Sequence, residues 1–381
     1  MRKNTVFLNP VTIGMLSLVL FFGCVSKKED QTQKVILEIL NRSLRHENFF
    51  VRSAAEKAIG EMGDPQFIPL LSPGLKDPMA FVRLFSAESI AQLHGADTLK
   101  LLMAAGSDPD PMVRIAVVKA LDDLAKDTGK IDALPIEKLL DPFTKDSDST
   151  VFLFAKAALA KRGNEKMFTE IESAIENADT LSPAVVALGR TKLARAIPTL
   201  AKTAQNRDAT VRMFSAEALG DVGDPSAFMM LSALTQDQEA SVRASAASAL
   251  GKVGDKKAIP ILEALLGKDD IRVEISSAEG LWRYEKKRLD IYEKALRDAD
   301  YGVRHSAIGS LQKVAGKEAM SIFIKALSDP APRVRIAAVR AIGATAGPEA
   351  IPILQGQLND PDLSVRAYAA GNLGRFIRPA Q

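Results

Sequence analysis

The chain has 381 residues, of which 47% are hydrophobic but only 6% are aromatic. Strands need aromatic and β-branched side chains to cover their pleated faces, so this composition favours an all-α protein. The 50 basic and 47 acidic residues give a net charge of +3, which argues against nucleic acid as a general partner, because phosphate binding needs many clustered basic side chains.

Residues 1–23 have the pattern of an export signal. A short basic segment is followed by the apolar run Val11–Phe22, which is shorter than the roughly 20 residues of a membrane-spanning helix. The motif Phe21-Phe22-Gly23-Cys24 that comes next resembles a bacterial lipobox, whose cysteine is lipidated through sulfur and becomes the first residue of the mature chain. The resemblance implies a lipoprotein signal peptide and a lipid on Cys24. An ordinary signal peptide, or an uncleaved anchor with a chance cysteine, is the alternative.

Residues 24–32 are polar and show no apolar periodicity, which predicts a flexible tether. Cys24 is the single cysteine of the chain. An internal disulfide and a cysteine-based metal site are therefore excluded.

A Val-Arg pair recurs along the rest of the chain, in several places 31 residues after the previous one. The pairs are Val51-Arg52, Val82-Arg83, Val113-Arg114, Val211-Arg212, Val242-Arg243, Val303-Arg304, Val334-Arg335 and Val365-Arg366. Three divergent units, anchored at Val151-Phe152, near Leu181 and at Val273-Glu274, fill the gaps and bring the total to about eleven. A fixed period of this length is the mark of a repeat protein.

Each unit predicts two helices. Apolar residues recur at the helical period after each valine, and Gly220 and Gly251 are predicted to end such helices as C-caps. Pro198, Pro260 and Pro352 are predicted to lie in the first turn of a second helix, where proline is tolerated.

The pattern resembles the short HEAT-like repeats first described in phycobilisome lyases. The resemblance covers residues 33–378, with an irregular insertion near 122–150. It implies an all-α superhelix, a HEAT/armadillo-like solenoid of about eleven helical hairpins of about 31 residues, whose stacked units share one core and expose an extended surface suited to protein binding. Adaptors, lyases, hydroxylases and uncharacterised envelope proteins use the same repeats, so the resemblance defines the fold better than the function.

The recurring arginines could form a basic stripe for a ligand or a device that holds repeats together. The resemblance implies the second role, with each arginine at a repeat boundary and paired with an aspartate six residues earlier. The predicted pairs are Asp77 with Arg83, Asp108 with Arg114, Asp237 with Arg243, Asp298 with Arg304, Asp329 with Arg335 and Asp360 with Arg366.

Catalytic signals are missing from the sequence. HEAT-repeat hydroxylases with two irons need several His-Glu pairs, whereas His46-Glu47 is the only one here, and neither a Walker loop nor a Gly-x-Ser-x-Gly motif is present. We therefore predict no catalytic residue, no cofactor and no metal site. A bilin lyase-like enzyme remains an alternative only for a chain that is not exported.

The unit around Val273 departs most from the pattern. Trp282, the only tryptophan, stands where other units carry glycine, and Tyr284 and Tyr292 lie nearby. Aromatic and arginine side chains dominate the hot spots of protein interfaces. The residues predicted to bind a partner are Trp282, Arg283, Tyr284, Lys286, Lys287 and Arg288. The alternative is that Trp282 only fills a wider gap between helices.

The sequence therefore predicts a non-catalytic scaffold or adaptor that is lipid-anchored to a membrane of the bacterial cell envelope, in the periplasm or on the outer surface, and binds a protein partner. A structural or assembly role in the envelope without a dedicated ligand is the alternative.

Overall fold

The computed structural model of the protein describes residues 27–124 and 136–377, and side chains from residue 31 onward. The predicted signal peptide and Cys24 lie outside these residues, as does part of the predicted insertion. Every regular element of the described residues is a helix, which confirms the all-α class.

Twenty-two α-helices follow one another in the described residues. The first ten are α1 (Lys27–Leu44), α2 (Phe49–Met62), α3 (Ile68–Leu71), α4 (Ala80–Leu93), α5 (Thr98–Ala105), α6 (Pro111–Leu124), α7 (Ile136–Leu140), α8 (Ser149–Ala160), α9 (Glu165–Ser173) and α10 (Ala178–Thr191). The others are α11 (Ile197–Thr203), α12 (Ala209–Val222), α13 (Phe228–Leu234), α14 (Ala240–Val253), α15 (Ala258–Leu265), α16 (Ile271–Trp282), α17 (Leu289–Ala295), α18 (Tyr301–Val314), α19 (Met320–Ala326), α20 (Pro332–Thr345), α21 (Ile351–Gln357) and α22 (Leu363–Gly374).

The even-numbered helices carry the repeat anchors, and the odd-numbered helices complete the hairpins. Each of the eleven predicted anchors lies in one of the eleven even-numbered helices, and anchor valines such as Val113, Val242 and Val273 are fully buried. Pro198 and Pro352 stand in the first turns of α11 and α21, as predicted. The helical hairpins of an α-solenoid are thus confirmed.

Helix α1 begins earlier than the sequence suggested. Residues 27–32 were assigned to the polar tether, yet their backbone is helical and continuous with the rest of α1. The side-chain amide of Gln33 donates a hydrogen bond of 2.8 Å to the carbonyl of Ile377, so this helix is attached to the folded chain from near its start.

Contacts within the chain define two compact units where the sequence predicted one array over 33–378. Unit one comprises residues Met1–Leu101 and Gly347–Gln381, and unit two comprises Leu102–Ala346. Unit one is therefore assembled from both ends of the chain.

In unit one the first and last hairpins pack on each other. Helix α22 contacts both α1 and α2. A Cβ atom added to Gly371 of α22 would lie only 2.4 Å from the carbonyl oxygen of Ala58 in α2, and the Asn372 amide donates to Glu61 at 3.3 Å. No pattern in the sequence predicted that α2 and α22 are neighbours.

Consecutive long helices of unit two approach each other at glycines. A Cβ on Gly220 would lie 2.7 Å from the Cβ of Ala249, and one on Gly251 would lie 2.5 Å from the Cα of Gly280. The prediction that Gly220 and Gly251 are C-caps is wrong, because each helix continues for two or more residues. The C-caps are Gly223 and Gly254, with φ of 73° and 77°, the left-handed region that glycine adopts at least cost.

The recurring arginines join adjacent repeats. In α14, for example, Arg243 Nη1 donates to the backbone carbonyl of Asp237 at 2.7 Å, while Nε donates to the Asp269 carboxylate of the following repeat at 2.7 Å. Arg212 of the preceding repeat binds the Asp237 carboxylate in the same bidentate way. Asp237 thus joins two repeats, one through its carboxylate and one through its carbonyl.

The structural role of the arginines is supported, but the predicted carboxylate partners of Arg114, Arg243 and Arg304 are wrong. In these three the aspartate six residues earlier accepts at its carbonyl, and the carboxylate belongs to the next repeat. Arg83 and Arg335 likewise donate to the carbonyls of Asp77 and Asp329, whose carboxylates bind Arg52 and Arg304, whereas the pair of Asp360 with Arg366 stays a prediction. The bidentate pairs are Arg52 with Asp77, Arg114 with Asp146, Arg212 with Asp237, Arg243 with Asp269 and Arg304 with Asp329. These side chains are at most 20% exposed, so the pairs are shielded from solvent, and the hydrogen bond from Arg212 lowers the pKa of Asp237.

Glu56 of α2 is a buried acid in unit one. It is 2% exposed, and its carboxyl packs over Gly74 and is hydrogen-bonded to Ser86. The Ser86 hydroxyl donates to the Leu71 carbonyl at 2.6 Å, and Glu56 Oε2 has no hydrogen-bond partner among the described residues. Burial raises the pKa of Glu56 well above its ordinary value, which agrees with the neutral form.

Replacement of Gly371 by alanine is expected to destabilise the protein by about 1–3 kcal/mol, because its new Cβ collides with backbone that cannot move freely. Gly356 of α21 is a matched control, since nothing lies within 4 Å of an added Cβ there. Gly356→Ala is expected to stabilise by about 0.5–1 kcal/mol through helix propensity. Urea unfolding followed by circular dichroism measures both, and equal midpoints for the two variants would contradict the packing of α22 on α2.

Glu56→Gln is expected to flatten the pH dependence of stability. Because the folded pKa is raised, the wild-type free energy of unfolding falls as pH rises from the unfolded pKa towards the folded pKa. Glutamine cannot ionise, so the free energy of unfolding of the variant should increase relative to that of the wild type as pH rises from about 4.5 to 8. Chemical unfolding at several pH values measures the difference, with exposed Glu263→Gln as the control. A constant difference between Glu56→Gln and the wild type would disprove the neutral carboxyl.

Candidate protein-binding surfaces

The aromatic residues of the predicted partner-binding patch are partly or wholly buried. Trp282 ends α16 and is only 8% exposed, and Tyr292 of α17 is fully buried. The Tyr284 hydroxyl donates to the Leu250 carbonyl at 2.7 Å. Trp282 therefore fills space between helices, as the alternative stated, whereas a partner contact by the half-buried Tyr284 stays a prediction.

The irregular unit replaces the Arg–Asp bridge with a different ion pair. Glu274 stands where other repeats carry arginine, is 2% exposed, and accepts hydrogen bonds of 2.9 and 3.0 Å from Lys294 of α17. Its pair lies within one repeat, between α16 and α17. The boundary after this repeat is crossed instead by an ion pair between Arg272 and Asp300, and Trp282 and Tyr292 supply apolar packing here.

The basic residues of the predicted patch lie at the surface. Arg283 and Lys286 are exposed, Lys287 pairs with Glu318 at 2.9 Å, and Arg288 pairs with Asp290 at 2.7 Å. That these side chains contact a partner stays a prediction.

A different aromatic surface is exposed in unit one. Phe49 and Phe50 begin α2, and Phe81 and Phe85 lie in the first two turns of α4. Phe50 is 52% exposed, Phe81 is 38% exposed, and the neighbouring Met79 is 40% exposed. We call these five side chains the phenylalanine patch.

The rings of the phenylalanine patch contact one another. The ring centroids of Phe49 and Phe50 are 4.1 Å apart, and Phe81 stands edge-on to Phe49 at 6.2 Å and to Phe85 at 4.7 Å. These separations are typical of attractive aromatic pairs. Lys57 lies over the Phe85 ring at 4.8 Å and places a positive charge at the border of the patch.

The sequence contained a signal for this patch that a search for unusual residues overlooked. Phe50 and Phe81 both directly precede the anchor valine, a position that Thr210 and Ser241 hold in two units of unit two, and no other unit has an aromatic residue there. The valine itself is buried, and the residue before it lies at the surface. Comparing units at this position would have found the patch.

The other candidate sites from the sequence have ordinary surroundings. His46 accepts a hydrogen bond from the Asn48 amide at Nδ1, and its own carbonyl accepts one from Arg52. No group of three or more histidine, cysteine or acidic side chains in residues 27–124 and 136–377 is placed to hold a metal ion. Within the same ranges, no helix has the length and apolar character needed to cross a bilayer.

A family model described as HEAT repeats matches residues 68–151, 168–234, 197–282 and 289–374. No curated protein matches the chain significantly.

Three solved structures are similar to the chain at low identity. The complex of CpcE and CpcF of phycocyanin lyase from Nostoc has 19% identity and a TM-score of 0.42, over 64% of this chain and 95% of that one. Human deoxyhypusine hydroxylase in complex with glycerol has 19% identity and a TM-score of 0.32, over 68% and 99% of the two chains. An engineered protein has 17% identity and a TM-score of 0.28, over 90% and 98%.

Proposed function

Because the chain belongs to the HEAT-repeat family, we propose that it is a non-catalytic protein-binding scaffold, held at a membrane of the bacterial cell envelope by a lipid on Cys24. Stacked hairpins hold surface side chains from different repeats in fixed relation, and such surfaces suit the binding of another polypeptide.

The observation that carries the protein-binding part is the phenylalanine patch. Phe50 and Phe81 leave a large share of their rings in water although both lie in well-packed helices. Burial of the remaining exposed surface of each ring against a partner would contribute on the order of 1 kcal/mol. Clustered exposed apolar groups on a folded protein mark an interaction site more often than isolated ones do.

The membrane part of the proposal comes from the sequence and from the start of α1. Only residues 25 and 26 separate Cys24 from Lys27, the first residue of α1. A lipid on Cys24 would therefore hold unit one, which carries the phenylalanine patch, near the bilayer. A partner of this surface is then a membrane protein or another protein of the same compartment.

The double variant Phe50→Ser, Phe81→Ser is expected to lose the captured partner without losing its fold. Both rings are exposed, so their removal costs little stability, whereas an interface that uses them loses its central apolar contacts. Cross-linking in whole cells followed by affinity purification measures capture, and circular dichroism checks the fold. Met229→Ser is the control, because Met229 is 75% exposed and outside the patch. Undiminished capture by the double variant would eliminate the patch as the contact surface, and no captured protein in any variant would favour the structural role.

Cys24→Ser is expected to abolish lipid labelling and to release the protein from the membrane fraction. Growth with labelled palmitate followed by fractionation measures both properties. Ser26→Cys in the Cys24→Ser background is a control for position, since a cysteine two residues on no longer follows Gly23 and should stay unlabelled. An unlabelled wild-type chain in the soluble fraction would refute the lipid anchor and would revive the enzyme alternative.

A further inference from the structure

Three basic side chains of unit two surround one buried carboxylate. Asp122 lies in the last turn of α6 and is 5% exposed. Arg162 Nη1 donates to Asp122 Oδ1 at 2.8 Å, and Lys161 Nζ and Arg190 Nη2 lie 3.3 Å and 3.9 Å from Oδ2. The basic residues come from the ends of α8 and α10, so three successive long helices meet at this carboxylate.

The cluster carries excess positive charge. Burial alone would raise the pKa of Asp122, but the hydrogen bond from Arg162 and the charges of Lys161 and Arg162 hold that pKa below its ordinary value. Asp122 is therefore ionised at neutral pH and neutralises one of the three cations. Two positive charges remain.

The two arginines of the cluster differ in how their donors are used. Arg162 donates to both the carboxylate and the backbone carbonyl of Asp122 and to the Ala158 carbonyl, so its guanidinium is occupied. Arg190 donates no hydrogen bond to any side chain or carbonyl of the described residues, because 3.9 Å from Asp122 is beyond hydrogen-bond length. Its side chain is 28% exposed, which leaves the donors accessible.

Arg190 is nevertheless held in place. Its guanidinium carbon lies 4.8 Å from the centroid of the Phe154 ring, which is buried. Stacking on an aromatic ring restricts the guanidinium and leaves its edge free for a planar, bidentate acceptor such as a carboxylate. A fixed guanidinium loses less entropy on binding than a mobile one.

A second stacked arginine in the same unit shows what Arg190 lacks. Arg195 lies 4.0 Å from the centroid of Phe168 and is paired with the Glu165 carboxylate of its own chain. Arg190 has the aromatic support but only the distant, shared Asp122. A cation at a helix C-terminus offsets the helix dipole. That effect accounts for the location of Arg190. It does not explain why the guanidinium makes no hydrogen bond to the described residues while it lies beside two other cations.

We propose that Arg190 and Lys161, positioned by Phe154 and Asp122, bind neighbouring carboxylates of an acidic segment in a protein partner. This inference rests on the scaffold function and deepens it, since it names the chemistry of a second contact in unit two. A few cations on a chain of net charge +3 suit a short acidic segment better than nucleic acid, which needs many phosphate contacts.

The test measures binding of a fluorescein-labelled hexaglutamate peptide to the full chain in detergent, by fluorescence anisotropy at low ionic strength, where exposed charges are least screened. Arg190→Ala is expected to raise the dissociation constant about tenfold, the loss of one charge-assisted hydrogen-bonded pair. Arg190→Lys should raise the dissociation constant less, because lysine keeps the positive charge but lacks the planar edge that binds a carboxylate through two hydrogen bonds.

Arg195→Ala is the matched control, because it removes an equal charge from an equally stacked arginine whose carboxylate partner is internal. It should change the dissociation constant by less than about twofold. Equal weakening of peptide binding by both alanine variants would overturn the proposal, because it would show that the peptide responds to the total positive charge and not to Arg190. Equal binding of hexaglutamine, absence of hexaglutamate binding, or full competition by inorganic phosphate at concentrations matched to the peptide would also overturn it. Partner capture through Phe50 and Phe81 does not depend on Arg190, so the scaffold function can stand if this inference fails.

Discussion

The close approach of successive long helices is the constraint on which the repeat stack depends. At Gly189, Gly220 and Gly251 a single added Cβ would come within 2.5–2.7 Å of an atom in the next long helix. Real side chains never approach so closely, so only glycine permits this spacing. Short separations let the anchor valines bury completely and bring each arginine within reach of the next repeat's aspartate. Backbone proximity and ion pairing are therefore two results of one geometry.

Much of the fold could be predicted because the core is repetitive. A buried valine, a helical apolar period and a proline-marked second helix recur in each unit, so an error in one unit is corrected by its neighbours. Details that depend on three-dimensional neighbours could not be predicted. Gly220 lies within α12 against Ala249 of the next long helix, whereas Gly223 has a positive φ and ends α12, and the sequence alone does not tell the two roles apart. Likewise, Arg243 has an aspartate both six residues before and 26 residues after it, and only the structure shows which carboxylate it binds.

The candidate surfaces show the same limit. Trp282 stood out in the sequence because it is the only tryptophan. Glycine at this position in other repeats lets two helices lie close together, whereas the Trp282 ring fills space between helices. Phenylalanine is not a rare residue in this chain, but Phe50 occupies a repeat position that lies at the surface. Its position in the repeat, more than its residue type, therefore indicates an interaction surface. The arginines show the same contrast: Arg212 donates from Nε, Nη1 and Nη2 to its own fold, whereas the Arg190 guanidinium donates no hydrogen bond to the described residues. Function is indicated by unmet interactions, which a sequence alone does not display.

The discontinuous composition of unit one affects the order in which the protein can fold. The Gln33 amide and the Ile377 carbonyl are separated by 344 residues in sequence, so closing unit one costs more chain entropy than packing neighbouring repeats together. Unit two is a single stretch of chain, and its repeats can pack on their neighbours without either part of unit one. Helices α1 and α2 must wait with part of their apolar surface uncovered until α22 arrives. The helices at the start of the described residues are thus among the last to be fully covered, and a holding chaperone would shield them in the meantime.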